Sequence, residues 1–229
     1  MKRRHRILGL LIAGLLLLSG CASSNKTPES TPPEIQEKIM VFDEIGLRVE
    51  HLSPYDGIYI EKGDDENKDR VEGVYALAIT NTAEKTIQKA HLIFSDGLQE
   101  LNFYLEMLPS DSTVTVVEYD KKPVKSEEFQ LVDSQITYLQ DGLENMKSIK
   151  LVESEYGSAT LRNTTNQKLP KVEVYYRRGY EGGTLGGKCY VEVLEDVEPG
   201  ELLYLDPDYW TDKSKIVNVL IYPDLDTGN

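Results

Sequence analysis

The sequence predicts an all-β fold: two tandem β-sandwiches that follow an N-terminal leader and a tether. Three observations point there. Short apolar–polar alternations recur about every ten residues, with turn residues between them. Long stretches of helical periodicity are nearly missing. A strand–turn–strand pattern also occurs twice, 82 residues apart.

The chain begins with Lys2, Arg3, Arg4 and Arg6, and its first acidic residue is Glu29. Residues 7–18 are apolar apart from Gly9 and Gly14, and small residues lead on to Cys21. A basic start, a short apolar stretch and a small-residue end make a secretory signal over residues 1–20. At ~1.5 Å per residue such a helix falls well short of a ~30 Å hydrocarbon core. The sequence Leu18-Ser19-Gly20-Cys21 resembles the lipobox of bacterial lipoproteins. That resemblance implies that the Cys21 thiol takes a diacylglycerol, that the mature chain starts there, and that it sits lipid-anchored on the extracytoplasmic face of the cell membrane. Residues 22–33 are Ser/Thr/Pro-rich and poor in apolar side chains, so 21–36 reads as a flexible tether. Thr31-Pro32-Pro33-Glu34 is the one plausible helix start, while residues 38–49 read equally well as strand.

Within the expected first sandwich, 37–143, Ala78-Ile79-Thr80-Asn81-Thr82 leads to Ile87, Lys89 and Ala90-His91-Leu92-Ile93-Phe94. Within the second, 144–229, Ala159-Thr160-Leu161-Arg162-Asn163-Thr164 leads to Leu169, Lys171 and Val172-Glu173-Val174-Tyr175-Tyr176. Asn and Thr cap turns through side chain-to-backbone bonds, and the flanks alternate as strands do. Each copy continues with a strand and a tight turn, Leu108-Pro109-Ser110-Asp111 in one and Glu198-Pro199-Gly200-Glu201 in the other. Pro sets φ at the second turn position and Gly200 supplies positive φ at the third. Pro109 and Pro199 are 90 residues apart, so the second copy carries about eight extra residues, placed at 177–188 around Gly182-Gly183-Thr184-Leu185-Gly186-Gly187. The last strand falls at 216–222 in copy two and within 129–139 in copy one.

This order of strand, Asn turn, strand ending in an aromatic, and Pro turn resembles the FxLYD-type immunoglobulin-like domains of Gram-positive lipoproteins. Copy one carries Leu92-Ile93-Phe94-Ser95-Asp96-Gly97, similar to that family's stretch; copy two has Val174-Tyr175-Tyr176-Arg177-Arg178-Gly179, without the Asp. The resemblance implies two immunoglobulin-like sandwiches and a cell-envelope location. It implies no catalytic residues.

Composition narrows the partners. Removing residues 1–20, with four basic residues and no acid, takes the net charge from −14 to −18. Such a surface repels nucleic acid and anionic headgroups and serves solubility. With Cys21 acylated, Cys189 is left alone and no internal disulfide forms. Strand alternation puts Cys189, Val191 and Val193 on one face, and Cys189 is expected as a buried thiol that fills core space.

The sequence carries few signs of catalytic chemistry. The chain has no Cys-x-x-Cys, His-Glu-x-x-His, Gly-x-Ser-x-Gly or Gly-Lys-Ser/Thr motif, so no enzyme and no cofactor is expected. Ser23 and Lys26 have catalytic spacing but stand in the tether. His5, His51 and His91 are too scattered for a zinc set. Asp65, Asn67 and Asp69 match a calcium loop, but Arg70 and Ala76 stand where it needs Gly and Glu, so a solvated hairpin is expected. Asp206, Asp208 and Asp212 make a second acidic cluster, read the same way.

A candidate recognition surface remains in copy two: Tyr175, Arg177, Arg178, Tyr180 and Lys188 beside the glycine-rich insertion, with Tyr209 and Trp210 in a later loop. Tyr, Trp and Arg are enriched at binding hot spots. The competing reading is that Tyr175 and Tyr176 merely straddle a strand and the glycines make a long hairpin. On the first reading the insertion is an adaptable loop, and shortening 182–187 costs less than about 1 kcal/mol. The expected function is a non-enzymatic binding or structural module that meets an envelope protein. The alternative is a carbohydrate or peptidoglycan binder using the aromatic, glycine-rich end of copy two.

Overall fold

Strand follows strand through the computed structural model, which describes residues 39–59, 70–180, 183–207 and 210–223. They contain seventeen strands, one short 3-10 turn at Asp43–Ile45 and no α-helix. The leader, the tether and the acidic stretch 64–69 lie outside the described residues. All the described residues belong to one compact unit, Glu37–Asn229.

In the first part of the chain, β1 (Ile39–Phe42), β2 (Leu47–His51), β5 (Ala76–Asn81) and β8 (Thr113–Val117) form one antiparallel sheet in the order β1-β2-β5-β8. Of the stretch 38–49, ambiguous from sequence, the described residues 39–49 belong to two strands joined by the 3-10 turn, which Gly46 closes at φ 57°. Facing this sheet are β6 (Ile87–Ser95), β7 (Glu100–Leu108) and β9 (Gln130–Tyr138), ordered β7-β6-β9. A hairpin of β3 (Tyr55–Ile58) and β4 (Arg70–Val74) stands beside them. Alternation decides which side chains go in. Leu47, Val49, Leu77, Ile79, Val114 and Val116 from one sheet meet Leu92, Phe94, Leu101, Phe103 and Leu105 from the other in a shared core.

The second part repeats the plan. Strands β10 (Ile149–Glu155), β11 (Ser158–Asn163) and β16 (Leu202–Leu205) pair in the order β10-β11-β16. Strands β12 (Leu169–Arg177), β15 (Tyr190–Val197) and β17 (Lys215–Tyr222) pair as β15-β12-β17. Ile149, Leu161, Val172, Val174 and Val219 lie between the two sheets. Two short strands, β13 (Gly179–Tyr180) and β14 (Gly183–Thr184), make a hairpin of their own.

The duplication extends to single hydrogen bonds. Asn81 is fully buried, and its Nδ2 donates to the Lys85 and Leu108 carbonyls, each at 2.9 Å. Asn163, also buried, donates to Gln167 at 2.9 Å, Val197 at 3.1 Å and Glu198 at 3.0 Å. Both asparagines accept from the backbone two residues on, at Ala83 and Thr165. A buried amide with its donors satisfied closes the turn and holds the end of a third strand.

These bonds correct the alignment of the turns. Ser112 N–H donates to Pro109 O and Glu201 N–H to Glu198 O, each at 3.2 Å, so Pro109 matches Glu198 rather than Pro199. The insertion is therefore seven residues, not eight. The positive-φ pairs agree: Met107 with Asp196 and Asp111 with Gly200, each 89 residues apart.

Cys189 is buried as expected, while Val191 and Val193 on the same strand face are 44% and 50% exposed. Their shared face is the outer face of the sheet. Among these three residues that face is covered only at Cys189, in a cluster with Met107, Leu139 and Leu220.

Candidate functional site

Of the residues singled out in copy two, Arg177 and Lys188 flank the insertion after β12, which is not a free loop. At the end of β12 the register with β17 shifts between Tyr175 and Tyr176. Tyr176 turns inward, with its ring centroid 5.3 Å from Tyr190 and 5.0 Å from Trp210. Trp210 is only 3% exposed, and its Nε1–H donates to Ser154 Oγ at 3.1 Å. It is a core residue and offers no platform to a ligand. Tyr175 faces the other way, half-buried, and donates to Glu173 Oε2 at 2.9 Å.

Arg177 is also buried, at 2% exposure. Its guanidinium donates from Nη1 to Met107 O at 3.3 Å, and from Nη2 to Gly187 O at 3.2 Å and to Glu106 O. Two of those carbonyls belong to β7 of copy one. A planar fork of donors suits several carbonyls at once, and the charge is spent inside the protein. Arg178 and Lys188 are half-buried. The Lys188 ammonium lies 5.7 Å from the centre of the Tyr119 ring. The side chain of Tyr180 and the whole of Tyr209 lie outside the described residues.

The insertion itself is seated in copy one. Leu185 bridges Thr115 of β8 in parallel, and Gly186 N–H donates to Thr115 O at 2.9 Å. Glu106 N–H donates to Gly187 O at 2.8 Å. The Leu185 side chain is 4% exposed among Tyr59, Val71, Val74, Ala76 and Val117 of copy one. The glycines serve close approach rather than adaptability. A Cβ on Gly187 would stand 1.6 Å from Tyr104 O, and one on Gly179 1.6 Å from Lys213 O. The expectation of a dispensable, adaptable loop is thus overturned. The segment covers the β8 edge and fastens copy two to copy one.

Cys189 lies at the same junction. Burial pushes its thiol up to about 11, against the lowering effect of Arg177, so it is a neutral space-filler at pH 7. Beside it, burial raises the Glu173 carboxyl, but bonds from Lys171, Tyr222 and Tyr175 outweigh that and hold it below its usual range. Burial and Glu173 together push Tyr222 up to about 12. His51 stacks on Phe129 at 4.6 Å and His91 on Tyr104 at 4.3 Å, each a packing role. Among the described residues no three His, Cys, Asp or Glu side chains are grouped to hold a metal ion. Nor is any helix among them long and apolar enough to cross a membrane.

One feature escaped the sequence reading. On the outer face of the β7-β6-β9 sheet, a groove of about 240 Å³ is lined by Lys89, His91, Tyr104, Glu106, Gln135, Thr137 and Lys188. The alternation that buries Ala90, Leu92 and Leu105 necessarily turns Lys89, His91, Tyr104 and Glu106 outward. The contribution of β9 depends on register, which the sequence does not reveal.

Fold and site together define an all-β protein of several antiparallel sheets, in which one strand plan occurs twice and the segment after β12 is seated against β7 and β8. No protein-family model matches the chain, and no curated protein matches it either.

Proposed function

We propose that this chain is a non-enzymatic, lipid-anchored module of the cell envelope that works by contact with another envelope component. The observation that carries the reading is Cys21, which ends a basic, then apolar, then small-residue leader and precedes a Ser/Thr/Pro-rich tether. Acyl chains on that cysteine, at ~0.8 kcal/mol per buried CH₂, are enough for durable anchoring when two or more are present. The tether then carries two sandwiches joined at Arg177 and Leu185. A pre-formed surface loses little conformational freedom on binding, which favours a binding or structural role. An envelope protein is the partner favoured here. The net negative charge disfavours nucleic acid. A glycan platform at Tyr175, Tyr209 and Trp210 has lost support, because Trp210 is a core residue.

The test is metabolic labelling of the full chain with a fatty acid, followed by membrane fractionation, beside Cys21→Ser. The wild type should carry label and sediment with membranes, and the variant should carry none. Label on the variant, or an unlabelled wild type, overturns the reading.

A further inference from the structure

Two rows of side chains cross the outer face of the β7-β6-β9 sheet. Tyr104, His91 and Gln135 stand opposite one another on the three strands, and Glu106, Lys89 and Thr137 form the next row. All six line the groove of about 240 Å³, and Lys188 joins them from the segment that copy two inserts.

These groups retain unused bonding capacity. Among the described residues the side chains of Lys89, Gln135 and Thr137 make no hydrogen bond or ion pair. Glu106 faces Lys89 in register, yet its Oε2 accepts from the Cys189 backbone N–H at 3.4 Å instead. The insertion that fastens the two copies therefore draws the natural partner away from Lys89.

On the same face of copy two the matching lysine is already paired. Lys171 occupies the position of Lys89, but Glu173 holds it at 2.8 Å and the Tyr222 ring lies 4.7 Å away. Glu173 accepts from Tyr222 at 2.8 Å as well. Where copy two has Glu173, copy one has His91, and so the Lys89 charge stays available.

The lining also indicates what fits. Donors from Lys89, Gln135, Thr137 and Tyr104 outnumber the single carboxylate of Glu106. The Tyr104 ring is engaged by His91 at 4.3 Å and by Tyr119 at 5.0 Å. With that ring occupied, recognition falls to polar groups rather than to stacking on a sugar face. Charge-assisted bonds to an anion are the strong ones here. Drug-sized sites run to roughly 300–1,000 Å³, so this smaller groove suits a single unit. The protein's other carboxylates oppose an anion weakly, since charges beyond ~8 Å are largely screened at physiological salt.

We propose that this groove binds a small hydroxylated anion, a single sugar or polyol unit carrying a carboxylate or a phosphate. Lys89 is the charge partner, and Gln135 and Thr137 bind the hydroxyls. The site does not depend on lipidation, so this proposal and the anchoring proposal fail separately.

Calorimetric titration of the full chain in mild detergent tests it, with glucuronate, glycerol 1-phosphate and glucose as probes. One or both anions should bind and glucose should not, and the anion that binds names the source of the charge. Lys89→Ala and Gln135→Ala should each weaken binding at least tenfold with an unchanged thermal midpoint. Lys171→Ala, at the matching position of copy two, should leave binding unchanged. Absence of heat with both anions at millimolar concentration overturns the proposal. So does equal loss in Lys89→Ala and Lys171→Ala, or binding of glucose as tight as that of the anions.

Discussion

Arg177 of the second sandwich donates from Nη1 to the main-chain carbonyl of Met107 in the first, at 3.3 Å. No carboxylate forms an ion pair with this buried guanidinium among the described residues, and its Nε has no partner there. Its charge is solvated by carbonyls of β7 and by Gly187 of the insertion. The residue that looks most like a surface contact in the sequence is therefore internal to the junction.

Removing that side chain should be costly. Arg177→Ala leaves the carbonyls of Glu106, Met107 and Gly187 without this donor, and bonds from a charged group contribute about 1.5–3 kcal/mol each. We expect a loss of about 3 kcal/mol in urea unfolding. Arg177→Lys should recover only part of it, because one ammonium does not reproduce the planar fork. An unchanged midpoint in the alanine variant would show that the junction does not depend on this residue.

Two glycines separate close approach from backbone conformation. Gly157 has φ +79° and open space around a built Cβ, so Gly157→Ala should cost about 1 kcal/mol. Gly187 would place a Cβ 1.6 Å from Tyr104 O, and backbone must move to relieve it. Gly187→Ala should cost about 3 kcal/mol or more, and amide exchange should quicken along β8 as Leu185 lifts from its pocket. Equal costs at the two positions would argue that the insertion is loosely seated.

Acid should destabilise the protein in part through Asp96. Burial raises its carboxyl, but donation from Tyr75 at 2.7 Å and from the Leu98 and Gln99 amides at 2.8 Å outweighs that and holds it below its ordinary value. A depressed folded value contributes stability above the unfolded value of about 3.9, lost as pH falls through the folded one. Asp96→Asn should therefore be less stable than wild type at pH 7 and lose less between pH 5 and pH 3. Urea midpoints across that range check it, and parallel profiles would remove Asp96 from the acid response.

Much of the fold was legible in the residues themselves. Alternation along 87–95 and 100–108 set which side chains of β6 and β7 are buried, since a strand has only two faces. The pair Asn81 and Asn163 marked the duplication, because a buried amide that closes a turn tolerates few replacements. Cys189 is the buried thiol its sequence suggests, but the cover comes from Met107 and Leu139 rather than from strand alternation, which leaves Val191 and Val193 exposed on the same face.

What the chain does with its insertion was decided only by tertiary structure. Glycines, arginines and tyrosines in one stretch describe a binding loop and an internal clamp equally well. The difference lies in what stands opposite: Met107, Thr115 and Tyr104 are between 70 and 83 residues away from the groups they meet. The same holds for the groove, where among the described residues Lys89 has no ion-pair partner and Lys171 has one, although both occupy one position of one repeat. Local sequence fixes a side chain's face through the two-residue period of the strand. Its partner depends on register and on how the sheets meet, and both are settled by contacts between distant parts of the chain.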